Sequence, residues 1–136
     1  VAQRVAWGKF FNNGQTCIAP DYLLVHESVK TPFLEKLRAS TERMYNADGK
    51  DFAASPDYCR IVNRHHFGRI RALLDDAVAQ GARVEMGGQT NEAERFIAPT
   101  VLTGVTDAMR VMQEEIFGPV FPVLTFDTRE EVVQRI

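Results

Sequence analysis

The chain lacks the features that mark several common classes of protein. It has two cysteines in 136 residues, Cys17 and Cys59, which are too few for a disulfide scaffold. Acidic and basic residues are interspersed and leave a formal net charge of −2, so no basic surface for nucleic acid is indicated. No apolar run approaches the length of a bilayer-spanning helix. We expect no nucleic-acid partner, no membrane segment and a cytoplasmic location.

Motifs for metal and nucleotide binding are also missing. The sequence has no C-x-x-C pair, and the adjacent His65 and His66 would point in different directions on a helix. No G-x-G-x-x-G and no phosphate-binding lysine loop occurs. We predict no metal site and no complete nucleotide-binding motif within these residues.

The remaining composition is that of a globular domain. Hydrophobic residues make up 45% of the chain and charged residues 25%, close to the average for folded proteins. Short apolar runs alternate with segments of helical periodicity, which predicts an α/β fold with a largely parallel sheet flanked by helices. The predicted helices cover 1–12, 28–44, 63–81 and 128–136, and the predicted strands cover 22–26, 82–88, 96–102 and 120–126.

Local signals set several of these boundaries. Asn63 is predicted to cap the third helix, and Thr128 with Glu131 forms a capping-box pattern for the fourth. Ser28 is predicted to cap the second helix, with Val29 on its apolar face. Residues 22–26 are typical of a buried strand, whereas Pro99 indicates an edge strand or an irregular stretch.

Cys17 lies in "FFNNGQTCIAPD" (10–21), between a predicted helix and a predicted strand. A thiolate is a nucleophile, and a tight turn at Gly14 would direct a nearby backbone N–H at an oxyanion. Asn12, Asn13, Gln15 and Thr16 add hydrogen-bonding side chains. The alternative is a small buried apolar residue, since free cysteine is among the most buried residue types. The residues alone leave both interpretations open.

The same stretch, extended to "FFNNGQTCIAPDY", resembles the active-site cysteine signature of the aldehyde dehydrogenase superfamily. "MQEEIFGPVFPVLTF" (112–126) is similar to the family's second signature, and "GGQTNEAERFIAPTVL" (87–102) resembles the segment between the two. "GQTCIAPDY" is most similar to the branch of fatty, aromatic and coniferyl aldehyde dehydrogenases. The resemblance spans the chain and implies that residues 1–136 are part of a Rossmann-like catalytic (cysteine-bearing) domain.

The resemblance implies roles for individual residues. Cys17 would be the catalytic nucleophile that attacks the aldehyde carbon, with its own backbone N–H holding the oxyanion. Glu115 would bind the nicotinamide ribose hydroxyls, and Phe117 would pack near the nicotinamide ring. Without the resemblance, an adjacent pair of glutamates is an ordinary solvated feature. Residues that would shape the two loops are Asn12, Gly14 and Gln15 around the cysteine, and Gly118 and Pro119 in the turn presenting Glu115 and Phe117.

The implied activity is oxidation of an aldehyde to a carboxylic acid through a cysteine thiohemiacetal and thioester. The implied substrate is a small-molecule aldehyde, with coniferyl and fatty aldehydes as candidates, and the cofactor is NAD or NADP, bound mainly by a domain outside this chain. The implied assembly is a homodimer or higher homo-oligomer.

Several parts that the family needs are not found in these residues: the NAD-binding domain, the C-terminal oligomerisation strand, the general-base glutamate and the oxyanion asparagine. The chain begins with Val1, so we expect a piece of a longer protein that is inactive when isolated. Two alternatives are a coenzyme A-acylating aldehyde dehydrogenase and a non-catalytic binding or assembly domain.

Overall fold

The computed structural model describes residues 1–136 and contains four α-helices and six β-strands, joined by loops and short 3-10 turns. None of the helices has both the length and the hydropathy that crossing a bilayer requires. The helices are α1 (Ala2–Phe10), α2 (Lys30–Tyr45), α3 (Arg64–Ala79) and α4 (Arg129–Arg135), and the strands are β1 (Leu23–His26), β2 (Arg83–Met86), β3 (Thr90–Asn91), β4 (Phe96–Ile97), β5 (Thr100–Thr103) and β6 (Val120–Phe126).

Four strands form the central sheet in the order β1-β6-β5-β2. Strand β6 pairs in parallel with both β1 and β5, while β2 pairs antiparallel with β5 at the far edge. Strands β3 and β4 form a separate antiparallel pair. The predicted largely parallel sheet is therefore confirmed, with one antiparallel strand at its edge.

Helices cover the sheet on both sides. Successive residues of a strand point to opposite faces, and in β6 Phe121 packs with the core that contains α1 and α2, whereas Val120 packs with the core that contains α3. Phe10 and Leu37 fill the first core, and Ile70 fills the second. This layering is the Rossmann-like α/β arrangement that the sequence predicts.

Two predicted helix caps are confirmed. The Asn63 side chain accepts the His66 N–H at 2.9 Å at the start of α3. The Thr128 hydroxyl accepts the Glu131 N–H at 3.3 Å, and the Glu131 carboxylate in turn accepts the Asp127 N–H at 3.1 Å. The bonds to Asn63 and Thr128 each satisfy a backbone donor that a helix N-terminus leaves free.

The prediction for the start of α2 is wrong. A 3-10 turn at Glu27–Val29 precedes the helix, which begins at Lys30. The Ser28 N–H donates to the His26 ring at 3.2 Å, so this histidine caps the 3-10 turn, while α2 itself starts after Val29 without a side-chain cap. Val29 is exposed instead of lying on the apolar face.

One strand prediction is wrong, and for another the structure selects one of the two predicted alternatives. The run at 22–26 forms an edge strand in which Val25 is the only buried residue, not a buried strand. Pro99 interrupts 96–102 as an irregular stretch, but β5 lies inside the sheet and not at its edge. Because Pro99 precedes the first paired residue of β5, its missing N–H costs the sheet no hydrogen bond.

Candidate active site

The loop after α1 is built on three consecutive residues with left-handed backbone. Asn12, Asn13 and Gly14 have φ values of 50°, 59° and 72°, a region that asparagine and glycine tolerate best. A Cβ atom at Gly14 would lie 2.3 Å from the Gly118 carbonyl oxygen. The prediction that Gly14 shapes this loop thus has a physical basis, because no side chain fits there.

Cys17 lies at the corner of the turn that follows. The Thr16 carbonyl accepts the Ala19 N–H at 3.0 Å, which leaves Cys17 and Ile18 at the two central positions. The Cys17 thiol is free and exposed, and its backbone N–H donates to no acceptor in the chain. The turn therefore presents a reachable thiol beside an unused backbone donor, and the buried-cysteine alternative does not hold.

The side chain of Gln15 attaches the loop to a distant segment. Its amide nitrogen donates to the Arg60 carbonyl at 3.1 Å, and its amide oxygen accepts the Val62 N–H at 2.9 Å. The same nitrogen lies 3.1 Å from the Asn12 carbonyl oxygen, and the Asn12 side chain donates to the Gln15 carbonyl at 3.1 Å. Asn12 and Gln15 thus bond reciprocally, consistent with the loop-shaping role predicted for them.

Asn13 has a role that sequence reasoning missed. It is fully buried, and its amide donates to the Cys59 carbonyl at 2.9 Å. Its oxygen accepts the Tyr58 hydroxyl at 2.7 Å. Burial raises the pKa of Tyr58 well above its ordinary value, so this hydroxyl remains a donor over the physiological range. Cys59 itself is exposed, and it contributes its carbonyl oxygen rather than its thiol.

The turn at 115–119 packs directly against the cysteine loop through the Gly14–Gly118 approach. Phe117 is half-buried and has a φ of 48°, while a Cβ at Gly118 would lie 2.6 Å from the Ile70 side chain. The Pro119 carbonyl accepts the Thr100 N–H at 2.9 Å and so joins the turn to β5. The structure thus brings the two predicted signatures together.

The neighbouring glutamates of this turn have different surroundings. The Glu114 carboxylate pairs with Arg69 at 3.2 Å and with Arg110 at 3.1 Å. The Glu115 carboxylate is exposed and has no partner in the chain. Glu114 therefore has a structural role, and Glu115 is the carboxylate available to a ligand.

A buried lysine beneath the loop was also missed. Lys9 is 1% exposed, with its Nζ 5.3 Å from the centroid of the Phe121 ring. Burial lowers the pKa of Lys9 to about 8, and the carboxylate of Asp21 opposes part of that shift. The signal was available, because Lys9 falls on the same helical stripe as the buried Ala2, Ala6 and Phe10.

Comparison with known proteins decides the family. The model of the "Aldehyde dehydrogenase family" matches residues 1–136. This chain belongs to the aldehyde dehydrogenase family. Aldehyde dehydrogenase family 3 member A2 of Rattus norvegicus is 45% identical over 134 residues, covering 98% of this chain and 26% of the relative. The dimeric NADP-preferring aldehyde dehydrogenase of Bos taurus is 46% identical over 134 residues, covering 98% of this chain and 53% of the relative.

Solved aldehyde dehydrogenases have the same fold. The substrate-bound state of Staphylococcus aureus AldH aligns with a TM-score of 0.91 at 44% identity, covering 99% of this chain and 28% of that one. An indole-3-acetaldehyde dehydrogenase in complex with NAD+ aligns with a TM-score of 0.82 at 33% identity, covering 98% and 27%. The chain thus spans about a quarter of the length of most of these relatives.

Proposed function

We propose that residues 1–136 are part of the catalytic domain of a longer NAD(P)-dependent aldehyde dehydrogenase, which oxidises an aldehyde to a carboxylic acid. The observation that carries this proposal is the exposed Cys17 thiol beside its own unpaired backbone N–H. The loop that holds them packs against the turn carrying Glu115. The parts of the enzyme that complete the cofactor site and activate water lie outside these residues, so the isolated chain is expected to be inactive.

The chemistry follows from the geometry of Cys17. Its thiolate attacks the aldehyde carbon, a C–S bond forms, and the Cys17 N–H donates to the oxygen that gains negative charge. When bound, an oxidised nicotinamide supplies the two-electron acceptor that turns this thiohemiacetal into a thioester. Water then cleaves the C–S bond, which releases the carboxylic acid and regenerates the thiol.

The residues present fit one part of such a cofactor. The Glu115 carboxylate is unpaired and exposed, so it can accept hydrogen bonds from two ribose hydroxyls. Phe117 is half-buried in the same turn and offers an aromatic surface to the nicotinamide ring. The relatives support either cofactor, since one is named NADP-preferring and another is solved with NAD+.

Exposed apolar residues in the elements that flank Cys17 support an apolar aldehyde as substrate. Trp7 and Phe11 are both exposed on α1 and its 3-10 extension, with ring centroids 5.3 Å apart. Ile18, which follows the nucleophile, is 90% exposed. Exposed apolar side chains on the helix before the cysteine loop and directly after Cys17 favour an apolar ligand. Coniferyl and fatty aldehydes fit this description, as does indole-3-acetaldehyde, the indole-bearing aldehyde named for one solved relative.

Assembly and location remain predictions. A homodimer or higher homo-oligomer is supported by one relative that is named dimeric. The cytoplasmic location rests on composition alone.

The decisive experiment replaces each cysteine by serine in the full-length protein. Cys17→Ser should reduce NAD(P)H formation from aldehyde by at least about a thousandfold, because an alcohol at ordinary pKa is a far weaker nucleophile than a thiolate. Cofactor binding, followed by fluorescence titration, should stay within about twofold of the parent value. Cys59→Ser is the matched control, since Cys59 is equally free and exposed. Appreciable turnover by Cys17→Ser contradicts the nucleophile assignment.

Product analysis separates the alternatives. Free carboxylic acid formed without coenzyme A supports the proposal, whereas an acyl-coenzyme A product identifies the acylating reaction. A non-catalytic assembly domain predicts no thiol-dependent turnover at all.

A further inference from the structure

The peptide group between Glu115 and Ile116 is held at both ends by side chains from elsewhere in the fold. Its carbonyl oxygen accepts a hydrogen bond from the Arg69 guanidinium at 3.0 Å. Its N–H donates to the Asp21 carboxylate at 3.0 Å. A peptide bonded from opposite sides cannot rotate without breaking one of the two bonds.

Arg69 also fixes the peptide that follows. Its second guanidinium nitrogen donates to the Ile116 carbonyl, and its first nitrogen contacts the Glu114 carboxylate at 3.2 Å. The guanidinium is planar and presents its donors in a rigid fork, so these bonds define one orientation of the turn. The base of Arg69 is itself fixed, because the adjacent Ile70 is fully buried and packs under Gly118.

Asp21 connects this turn to the nucleophile. It lies four residues after Cys17, between the cysteine loop and β1. The buried Lys9 is close enough to interact with the Asp21 carboxylate electrostatically. One carboxylate thus links the loop that carries the thiol to the backbone of the turn that carries Glu115.

No side-chain partner holds the Glu115 carboxylate, so its backbone is the part of the residue that the fold fixes. We propose that Arg69 and Asp21 are positioning residues, which clamp the Glu115–Ile116 peptide and so place the Glu115 side chain within reach of the nicotinamide ribose. This inference rests on the proposed function and adds two residues to it: Arg69, which lies outside both signatures, and Asp21, which lies at the end of the first signature.

The test compares two arginines in the full-length protein. Arg69 and Arg110 both pair with the Glu114 carboxylate, but only Arg69 also reaches main-chain carbonyls of the turn. Arg69→Met should raise the KM for NAD(P) about tenfold, because the turn loses the charge-assisted hydrogen bonds that fix its backbone. Arg110→Met, which loses only an exposed ion pair, should change that KM less than about twofold.

A second pair of variants tests the other end of the peptide. Asp21→Ala removes the acceptor for the Ile116 N–H, whereas Asp21→Asn keeps an oxygen in the same place. Asp21→Ala should raise the cofactor KM about tenfold, and Asp21→Asn should recover most of that loss. Arg69→Lys keeps the positive charge but not the forked arrangement of donors, so we expect it to reverse only part of the increase in cofactor KM seen in Arg69→Met.

A cofactor-free measurement separates positioning from loss of fold. The rate at which iodoacetamide alkylates Cys17 should stay within about twofold in the Arg69 and Arg110 variants, because these arginines contact the turn that carries Glu115 and not the cysteine loop.

Two outcomes overturn the inference. Equal changes in cofactor KM for Arg69→Met and Arg110→Met, in a parent enzyme that oxidises aldehyde, reject the clamp and leave the proposed function standing. A full-length parent that neither binds NAD(P) nor oxidises aldehyde rejects both.

Discussion

The two turns that meet at Gly14 and Gly118 are held in opposite ways. The cysteine loop is fixed by its own side chains, because Asn13 and Gln15 hydrogen-bond to backbone groups of the segment 59–62. In the turn at 115–119 the backbone is instead hydrogen-bonded by side chains from other parts of the fold. These are Arg69 of α3 and Asp21, which lies just before β1.

This difference indicates where each turn is vulnerable. Changes within the cysteine loop should disturb it directly, because the groups that fix it are its own. The turn that carries Glu115 should tolerate many changes to its own side chains, yet lose its orientation when a residue far away in sequence is replaced. A substitution at the contact between Gly14 and Gly118 should disturb both turns, because their backbones touch there.

The largest effect should come from Gly14→Ala. A methyl group would lie 2.3 Å from the Gly118 carbonyl oxygen, and alanine is strained at a φ of 72°. The free energy of unfolding should fall by about 3–5 kcal/mol, measured by chemical denaturation, with strain and overpacking both contributing. Cys17 alkylation and cofactor KM should both change, because both turns are displaced.

Gly49→Ala is the control for the strain alone. Gly49 has a φ of 70°, but nothing lies within 4 Å of the position that its Cβ would take. Gly49→Ala should lower the free energy of unfolding by about 1 kcal/mol. If Gly14→Ala lowers the free energy of unfolding no more than Gly49→Ala does, the two turns do not approach each other as closely as the structure shows.

The way each turn is held also explains which parts the sequence could predict. Gly14, Gln15 and Cys17 are neighbours in one stretch, so their types and spacing carry the information. Arg69 and Asp21 act on the turn across 46 and 95 residues, and no local pattern marks an arginine that bonds to distant carbonyls.

The fold shows the same limit. Strong periodicity predicted the helices and the mostly parallel sheet, and Asn63 and Thr128 marked two of their starts. The edge position of β1 and the interior position of β5 depend on which strands become neighbours, which is decided by packing and not by the local sequence.

Lys9→Met tests the charge that lies beneath both turns. Folding lowers the pKa of Lys9 from 10.5 to about 8, so the folded protein loses this proton before the unfolded chain does. Between those two pH values the unfolded state binds more protons, and the free energy of unfolding therefore rises with pH. The rise should be on the order of 3 kcal/mol.

The prediction is that this rise disappears in Lys9→Met, which carries no titratable group at that position. The measurement is the free energy of unfolding of parent and variant from pH 7 to pH 11, taken as a difference so that other groups cancel. Lys50→Met is the control, because the Lys50 side chain is 77% exposed. A constant difference between Lys9→Met and the parent would show that Lys9 has an ordinary pKa.

Gln15→Ala should have an intermediate effect confined to the cysteine loop. It removes the bonds to Arg60 and Val62, and unfolding should become easier by about 1–2 kcal/mol. The alkylation rate of Cys17 should change while the cofactor KM stays within about twofold, the reverse of what Arg69→Met does. Gln80→Ala, which loses one surface bond to Asp76, should cost no more than about 0.5 kcal/mol. If Gln15→Ala changes the cofactor KM and leaves the alkylation rate of Cys17 unchanged, the two turns are not fixed independently of each other.

The smallest effects should come from two helical glycines, one on each side of the comparison. Gly68 lies in α3 next to Arg69 with open space around it, and Gly8 lies in α1 with only the ring of Pro20 near. Alanine at either position should raise the free energy of unfolding by about 0.5–1 kcal/mol, because glycine is a poor helix former. Neither variant should alter the cofactor KM or the alkylation rate of Cys17. Hydrogen bonds and close backbone contact fix both turns, and their positions do not depend on bending of the helices. If Gly68→Ala changes the cofactor KM without destabilising the protein, then α3 must bend for Arg69 to reach the turn, and the clamp is less rigid than its geometry indicates.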